Sequence, residues 1–218
     1  MSDDAARRLE RAALIEQARL LNVSLGDSEA QRLALLLDEL ERWGAAYNLT
    51  SIRGRQAMIT HHLLDSLSLH EHLHGSRIAD VGTGAGFPGL PLAVANPDRQ
   101  FTLIDSAGKK VRFVAHAARA LGLGNVEAVH SRTEDLNPRE SFDTVTARAF
   151  ASLPDLLESV RTISGAGTRV LAMKGRYPST ELSAVRPPWR VLETRPVEVP
   201  GLGEARHVII VESGSRES

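Results

Sequence analysis

Residues 80–89 read D-V-G-T-G-A-G-F-P-G and follow directly on the apolar run I-A. Gly82, Gly84 and Gly86 alternate where a buried strand must hand over to a helix. Glycine tolerates φ > 0 there and lets backbone come close to a ligand. A helix N-terminus after the turn is expected to present free N–H groups to polar or anionic ligand atoms. The spacing is G-x-G-x-G, and Phe87 stands after Gly86 where the dinucleotide fingerprint G-x-G-x-x-G would run on. One acid, Asp80, precedes the loop, and another, Asp105, ends the next apolar segment, F-T-L-I-D. The distance from Gly86 to Asp105 suits a ribose-binding acid, so a nicotinamide or flavin site stays open at this point.

The periodicity around this turn alternates between strand and helix. Strands are expected at 77–81, 100–105, 125–129, 142–147, 167–173, 190–195 and 206–212, with helices at 88–96, 108–121 and 153–163. P-P-W-R and V-P-G-L-G-E read as turns and loops, so the last two strands form an antiparallel hairpin. The expected fold is α/β, with a seven-stranded, mostly parallel sheet over residues 76–213. Residues 1–75 are expected to be a helical cap. Its helices fall at 4–21, at 28–47 behind a Ser28-Glu29-Ala30-Gln31 capping box, and at about 56–74. Asn48-Leu49-Thr50 ends the second helix and lines the pocket. The tail S-G-S-R-E-S, with 214–218 as its flexible part, completes the division.

Asp80, the glycine loop, Asp105, Arg148 and Lys174 all fall at or just past strand ends. Ligands of such sheets bind outside the carboxyl ends of the strands, at the topological switch. Lys109, Lys110, Arg112, His130, Arg132, Arg148, Lys174 and Arg176 would then make a basic surface around one pocket mouth. Phosphate contacts of that kind dominate affinity for nucleic acid. The net charge of −1 gives no global indication of nucleic-acid binding, so any such binding is local.

Composition narrows the chemistry. With no cysteine the chain has no disulfide, no thiolate metal site, no cysteine nucleophile and no cysteine-adduct route to 5-methylated pyrimidines. His70 and His74 stand four apart on an expected helix, but no third ligand is evident, so no metal is expected. No apolar run approaches a membrane span, and M-S-D-D-A-A-R-R-L-E lacks a signal-peptide core, which makes a cytoplasmic protein the expectation.

Two resemblances follow from these motifs. The loop with its two acids resembles the S-adenosylmethionine (AdoMet) site of class I methyltransferases, in which the first acid sits near the methionine end and the second takes the ribose hydroxyls. Methyltransferases acting on exocyclic amines often carry N-P-P-[FYW] or D-P-P-Y after the fourth strand. Here S-F-D-T-V-T-A-R-A-F has no Pro-Pro pair, which favours a nucleophile that needs no deprotonation, such as a purine N7. More specifically, seven segments resemble the RsmG (GidB) family. They are A-Y-N-L-T-S-I-R (46–53), H-L-L-D-S (62–66), D-V-G-T-G-A-G-F-P-G-L-P (80–91), L-I-D-S-A-G-K-K-V-R-F (103–113), V-H-S-R-T-E-D (129–135), A-R-A-F-A-S-L (147–153) and M-K-G (173–175).

That resemblance implies AdoMet-dependent methylation at N7 of guanine 527 in the 530 loop of 16S rRNA, within the 30S subunit, by a monomer. It places cofactor contacts at Asp80, Gly82, Gly84, Gly86, Phe87, Asp105, Thr133, Glu134 and Arg148. It makes Lys109, Arg112, Arg132, Lys174 and His62 candidates for RNA contact, with Arg148 and Lys174 as positioning groups and no general base. His62 and Asp65 would orient the cap or meet the substrate.

Overall fold

The computed structural model describes residues 3–148, 150 and 152–215. The chain opens with two long helices, α1 (Asp3–Arg19) and α2 (Asp27–Tyr47). In α2, Leu33, Leu36, Leu37 and Leu40 recur at helical spacing and are all buried. The N-cap is Gly26, not Ser28. Glu29 Oε2 accepts the Gly26 N–H at 3.0 Å, while Ser28 Oγ only donates to the other Glu29 oxygen. Asn48 closes α2 in the left-handed conformation, its N–H bonded to Gly44 O.

The expected single helix at 56–74 is instead a broken one. It runs as α3 (Arg55–Met58), a π-helical stretch (Ile59–Leu64), α4 (Asp65–Leu67) and a 3-10 turn (His70–His72). His74 therefore lies beyond the helix and does not face His70, which instead contacts Asn96 at 3.1 Å. A π insertion shifts every later side chain around the axis, and such insertions are frequent at functional sites. Here it carries His61 and His62.

The sheet has the order β3-β2-β1-β4-β5-β7-β6. Its strands are β1 (Arg77–Val81), β2 (Gln100–Asp105), β3 (Val126–His130), β4 (Phe142–Arg148), β5 (Ser164–Lys174), β6 (Trp189–Pro196) and β7 (His207–Ser213). The pairs from β3 to β5 are parallel, and β7 runs antiparallel to both β5 and β6. Helices α5 (Gly89–Ala95), α6 (Gly108–Ala120), α7 (Leu153–Ser159) and α8 (Ser179–Ser183) fill crossovers.

One face of the sheet shares a continuous core with α5, α6 and the N-terminal helices, including Leu36, Leu92, Phe113 and Met173. The other face packs on Leu153, Leu156 and Leu157 of α7. Val199 and Leu202 fold the β6–β7 loop onto the first of these cores. The winding reverses between β1 and β4, where Val81 pairs with Ala147, so the loops leaving these strands diverge and open a crevice. The C-terminal tail begins later than expected: Ser213 belongs to β7 and the Gly214 N–H binds Pro188 O at 2.7 Å. The remainder of the expected tail, 216–218, and Ala149 and Ala151 of the A-R-A-F-A-S-L segment lie outside the described residues.

Candidate functional site

Two cavities meet at the β1/β4 switch and share Gly82, Lys110 and Arg148. The smaller, about 390 Å³, lies over β2 and β3 and is lined by Asp105, Ser131, Arg132, Thr133, Glu134 and Phe150, among others. The larger, about 640 Å³, lies under the N-terminal helices, between Leu49–Ile52, His61, His62, Asp65 and Phe87 on one side and Lys174, Gly175 and Arg206 on the other.

The glycine loop forms the floor. Gly82, Gly84 and Gly86 all have positive φ, at 63°, 61° and 86°. At Gly86 the reason is packing as well as conformation, since a Cβ would lie 2.3 Å from the Leu90 side chain. Gly84 turns its N–H to Asp105 Oδ2 at 2.9 Å. Asp105 Oδ1 accepts the Ala107 N–H at 2.8 Å, and Lys110 Nζ stands 3.5 Å from its other oxygen. Asp105 is thus fixed at the rim of the smaller cavity with backbone donors behind it.

Asp80 behaves differently from the expectation. Its side chain is wholly buried and lines neither cavity. Oδ2 accepts from Thr83 Oγ1 at 2.5 Å and from the Gly89 N–H at 2.9 Å, and Oδ1 accepts from Thr146 Oγ1 at 3.1 Å. Burial pushes its pKa up to about 6, and the three hydrogen bonds oppose that rise. Asp80 therefore braces the loop from beneath. The first N–H of α5 is consequently taken by Asp80, and the expected open helix terminus is not available. Gly86 likewise supports the loop from outside both cavities.

The larger cavity is organised around charge. Asp65, buried in the cap, receives Arg206 Nε at 2.8 Å from the β6–β7 loop and Arg148 at 3.4 Å from β4. Arg148 also donates to His61 O at 2.9 Å. Its guanidinium lies 5.6 Å from the Phe87 ring centre, and the His62 ring stacks on the same phenylalanine at 4.6 Å. His62 Nε2 is 2.8 Å from Thr50 Oγ1. Burial first, and then Arg148, pushes the His62 pKa down to about 4, so the ring is neutral at pH 7. Lys174 Nζ is 2.8 Å from Glu181 Oε2, and the same oxygen accepts the Leu153 N–H.

The expected basic surface therefore divides. Lys110, Arg132, Arg148 and Lys174 stand on cavity walls, Lys174 already paired and Arg132 in the smaller cavity. Lys109 and Arg112 lie on the outer side of α6, exposed and outside both cavities. His62 is a buried wall residue of the larger cavity. The sequence does not single out Arg206 or the partner role of Glu181. Both depend on contacts between segments far apart in the chain, and the only local sign is a charged residue at a strand or loop end. Among the described residues, no group of three or more His, Asp or Glu side chains is close enough to hold a metal.

A parallel sheet of this order with an antiparallel last strand, and a glycine loop and a strand-end acid at its switch point, defines the class I AdoMet-dependent methyltransferase fold. Solved structures agree on the fold. A SAM-dependent methyltransferase from Aquifex aeolicus aligns with a TM-score of 0.53 at 20% identity, over 69% of this chain and 90% of that one. TrmN from Thermus thermophilus aligns with a TM-score of 0.54 at 23% identity, over 68% of this chain, which spans 47% of TrmN's length. Within this class, the chain belongs to the rRNA small subunit methyltransferase G (GidB) family, whose model matches residues 29–209. The ribosomal RNA small subunit methyltransferase G of Idiomarina loihiensis is 41% identical over 202 residues, covering 93% of this chain and 97% of its own. That of Aeromonas salmonicida is 44% identical over 187 residues, covering 86% and 90%. The protein is a small-subunit rRNA methyltransferase.

Proposed function

We propose that the protein transfers a methyl group from AdoMet to N7 of a guanine, guanine 527 of the 530 loop in 16S rRNA. The residues fit the cofactor: Asp105 stands where ribose hydroxyls would be taken, Thr133 and Glu134 flank the adenosine end, and Gly82, Gly84 and Phe87 floor the passage to the larger cavity. Bound AdoMet supplies an electrophilic methyl on a sulfonium, whose leaving group is already good. The chain's task is then orientation of the nucleophile and exclusion of water. Arg148, fixed by Asp65 and His61 O, stands where the two cavities join and positions the reacting ends. Lys174 holds the far wall through Glu181. The target base enters the larger cavity beneath the cap 1–75, which closes over the catalytic unit 76–213.

The observation that carries the N7 reading is the scarcity of proton acceptors on this wall. Asp65 is clamped by two arginines, and His62 is buried with Nε2 on Thr50. Among the described residues of the larger cavity, His61, half-buried at the rim, is the remaining candidate base beside His62, whose Nδ1 has no hydrogen-bond partner but whose pKa of about 4 makes it a poor proton acceptor at pH 7. A purine N7 carries its lone pair ready for attack, whereas an exocyclic amine must lose a proton. His61→Ala should therefore keep kcat within about threefold of wild type if general-base catalysis, typically worth about 10²–10⁴, is not used. A hundredfold loss with AdoMet and RNA binding intact would contradict N7 attack.

The direct test incubates the protein with labelled AdoMet and 30S subunits lacking the modification, then maps the product by nuclease digestion and mass spectrometry. N7-methylguanosine in the 530-loop fragment is expected. Label elsewhere, or on an exocyclic nitrogen, would overturn the assignment. We place the reaction in the cytoplasm on the assembled 30S particle, with the enzyme acting as a monomer. Among the described residues no helix is long and apolar enough to cross a membrane.

A further inference from the structure

Helix α6 reads G-K-K-V-R-F-V-A-H-A-A-R-A and contains no acid. Lys109, Arg112, His116 and Arg119 fall three, four and three residues apart, so they share one side of the helix. Lys109 and Lys110 sit in its first turn and Arg112 just beyond, where the helix dipole favours anions over cations. Lys110 is offset by Asp105. Lys109, Arg112 and Arg119 are exposed and make no ion pair among the described residues.

Helix α1 treats its surface arginines differently. Arg8, Arg11 and Arg19 there each pair with an aspartate or glutamate, at 2.8, 3.4 and 2.6 Å.

A row of aromatic rings runs beside the α6 charges. Trp43 of α2 packs on His116 with ring centres 4.9 Å apart, and Tyr47 stacks on Trp43 at 5.3 Å. Tyr47 is 40% exposed. The acid in this neighbourhood is withdrawn: Glu39 is buried, with one oxygen on His116 and the other on Arg42, each at 2.8 Å. Tyr47 stands two residues before the Leu49–Ile52 wall of the larger cavity, and α6 reaches both cavities through Lys110.

We propose that the α2–α6 surface is an RNA-docking track for the single-stranded rRNA next to the target guanine. Phosphates lie on Lys109, Arg112 and Arg119, and a base stacks on Tyr47 at the cavity entrance. Unpaired cations beside an exposed ring, with no free acid, match the charge and the flat faces of unstacked RNA, and match no apolar or cationic partner. This rests on the rRNA methyltransferase reading and adds where, and through which residues, the substrate is held outside the reacting pocket.

The test compares Arg112→Glu, Arg119→Glu and Tyr47→Ala with Arg8→Glu, a control of equal charge change at a paired surface arginine. Two quantities are read: equilibrium binding of a naked 16S rRNA transcript across salt concentrations, and methyl transfer to unmodified 30S subunits. Each α6 reversal should weaken transcript binding about tenfold and reduce the log–log salt slope by about 0.7 for each phosphate no longer neutralised. Tyr47→Ala should weaken it about tenfold with the slope unchanged, and Tyr47→Phe should restore it. In transfer assays KM for the subunit should rise while kcat and AdoMet affinity hold. Variants no worse than Arg8→Glu would overturn the proposal. So would a loss confined to 30S subunits with transcript binding intact, which would mean a ribosomal protein meets this surface. If wild type binds the transcript as described but transfers no methyl group, the proposed reaction fails while the docking track stands.

Discussion

The two cavities meet at Gly82 and Arg148 but are built in opposite ways. The smaller takes most of its lining from one stretch of chain, from the end of β2 to the turn after β3, and the rest from Gly82, Arg148, Phe150 and Ser159. Its acid, Asp105, is held by backbone N–H groups two residues away and in the neighbouring loop. The larger is assembled from the α2 terminus, the π-helical stretch, the glycine loop, β4, β5 and the β6–β7 loop. Its fixed point is the Asp65 carboxylate, reached by arginines 83 and 141 residues away. A local site depends on turn geometry. A dispersed site depends on tertiary packing and on one buried ionic junction, so it should be the more fragile of the two.

Asp65→Ala tests that difference most severely. It leaves Arg148 and Arg206 without their common anion in a largely buried place. Removing one partner of a buried pair typically costs about 3–5 kcal/mol, and a loss of that order is expected in urea denaturation. Because Arg148 lines both cavities, AdoMet binding and methyl transfer should both collapse. If stability and cofactor affinity hold while only RNA binding falls, the junction is a substrate contact and not a structural keystone.

Asp105→Ala should act more narrowly. Charge-assisted hydrogen bonds contribute about 1.5–3 kcal/mol, so AdoMet affinity should fall about 10- to 100-fold by calorimetry, with transcript binding unchanged. Equal losses for both ligands would erase the distinction between a cofactor cavity and a substrate cavity.

Gly86→Ala probes the loop that both cavities share. The new Cβ meets Leu90 at 2.3 Å in a backbone with φ of 86°. Overpacking and strain of this kind cost about 1–3 kcal/mol. Gly84→Ala has its nearest foreign atom 3.9 Å away, so only the conformational part, about 1 kcal/mol, is expected. The ratio of the two melting-temperature shifts reads packing against backbone strain directly.

The sheet order, the position of the loop and the acid that ends β2 at the rim of the smaller cavity are legible in the sequence because they are written locally. Strands alternate or run apolar, glycines sit at the turn, and an acid ends a strand. Gly26 as N-cap is hidden because Ser28 carries the commoner capping side chain, whereas the actual cap works through Glu29 reaching back to a backbone N–H. The break in the helix at Ile59–Leu64 is not legible either. A π insertion leaves the apolar residues buried on average and changes only which later side chains face inward. For Asp80 the place along the chain is legible but the direction in space is not, since a strand-end acid can point to the crevice or into the sheet. Thr83 and Thr146, two unremarkable threonines, decide between those outcomes by offering it hydroxyls. Arg206 and Glu181 act only through partners brought close by folding, so no spacing rule reaches them.

The smallest net effect, in the wild type itself, comes from a pair of opposing pH dependences, those of Asp80 beneath the glycine loop and His62 on the wall of the larger cavity. Asp80 has a folded pKa of about 6, raised above its ordinary 3.8 by burial. Its contribution is fully present below pH 3.8 and is lost as pH rises through 6. His62 has a folded pKa of about 4, lowered from 6.5. Its contribution is present above pH 6.5 and is lost as pH falls through 4. Each shift corresponds to about 3 kcal/mol across its window, with opposite sign. In wild type the two slopes should nearly cancel between pH 4 and 6, leaving a flat section in the stability profile from other groups alone. His62→Gln should expose the Asp80 slope, with stability falling as pH rises. Asp80→Asn should expose the His62 slope, with stability rising. Urea titrations at half-unit pH intervals separate the two. Parallel profiles for all three proteins would show that neither group is as buried on folding as its contacts imply.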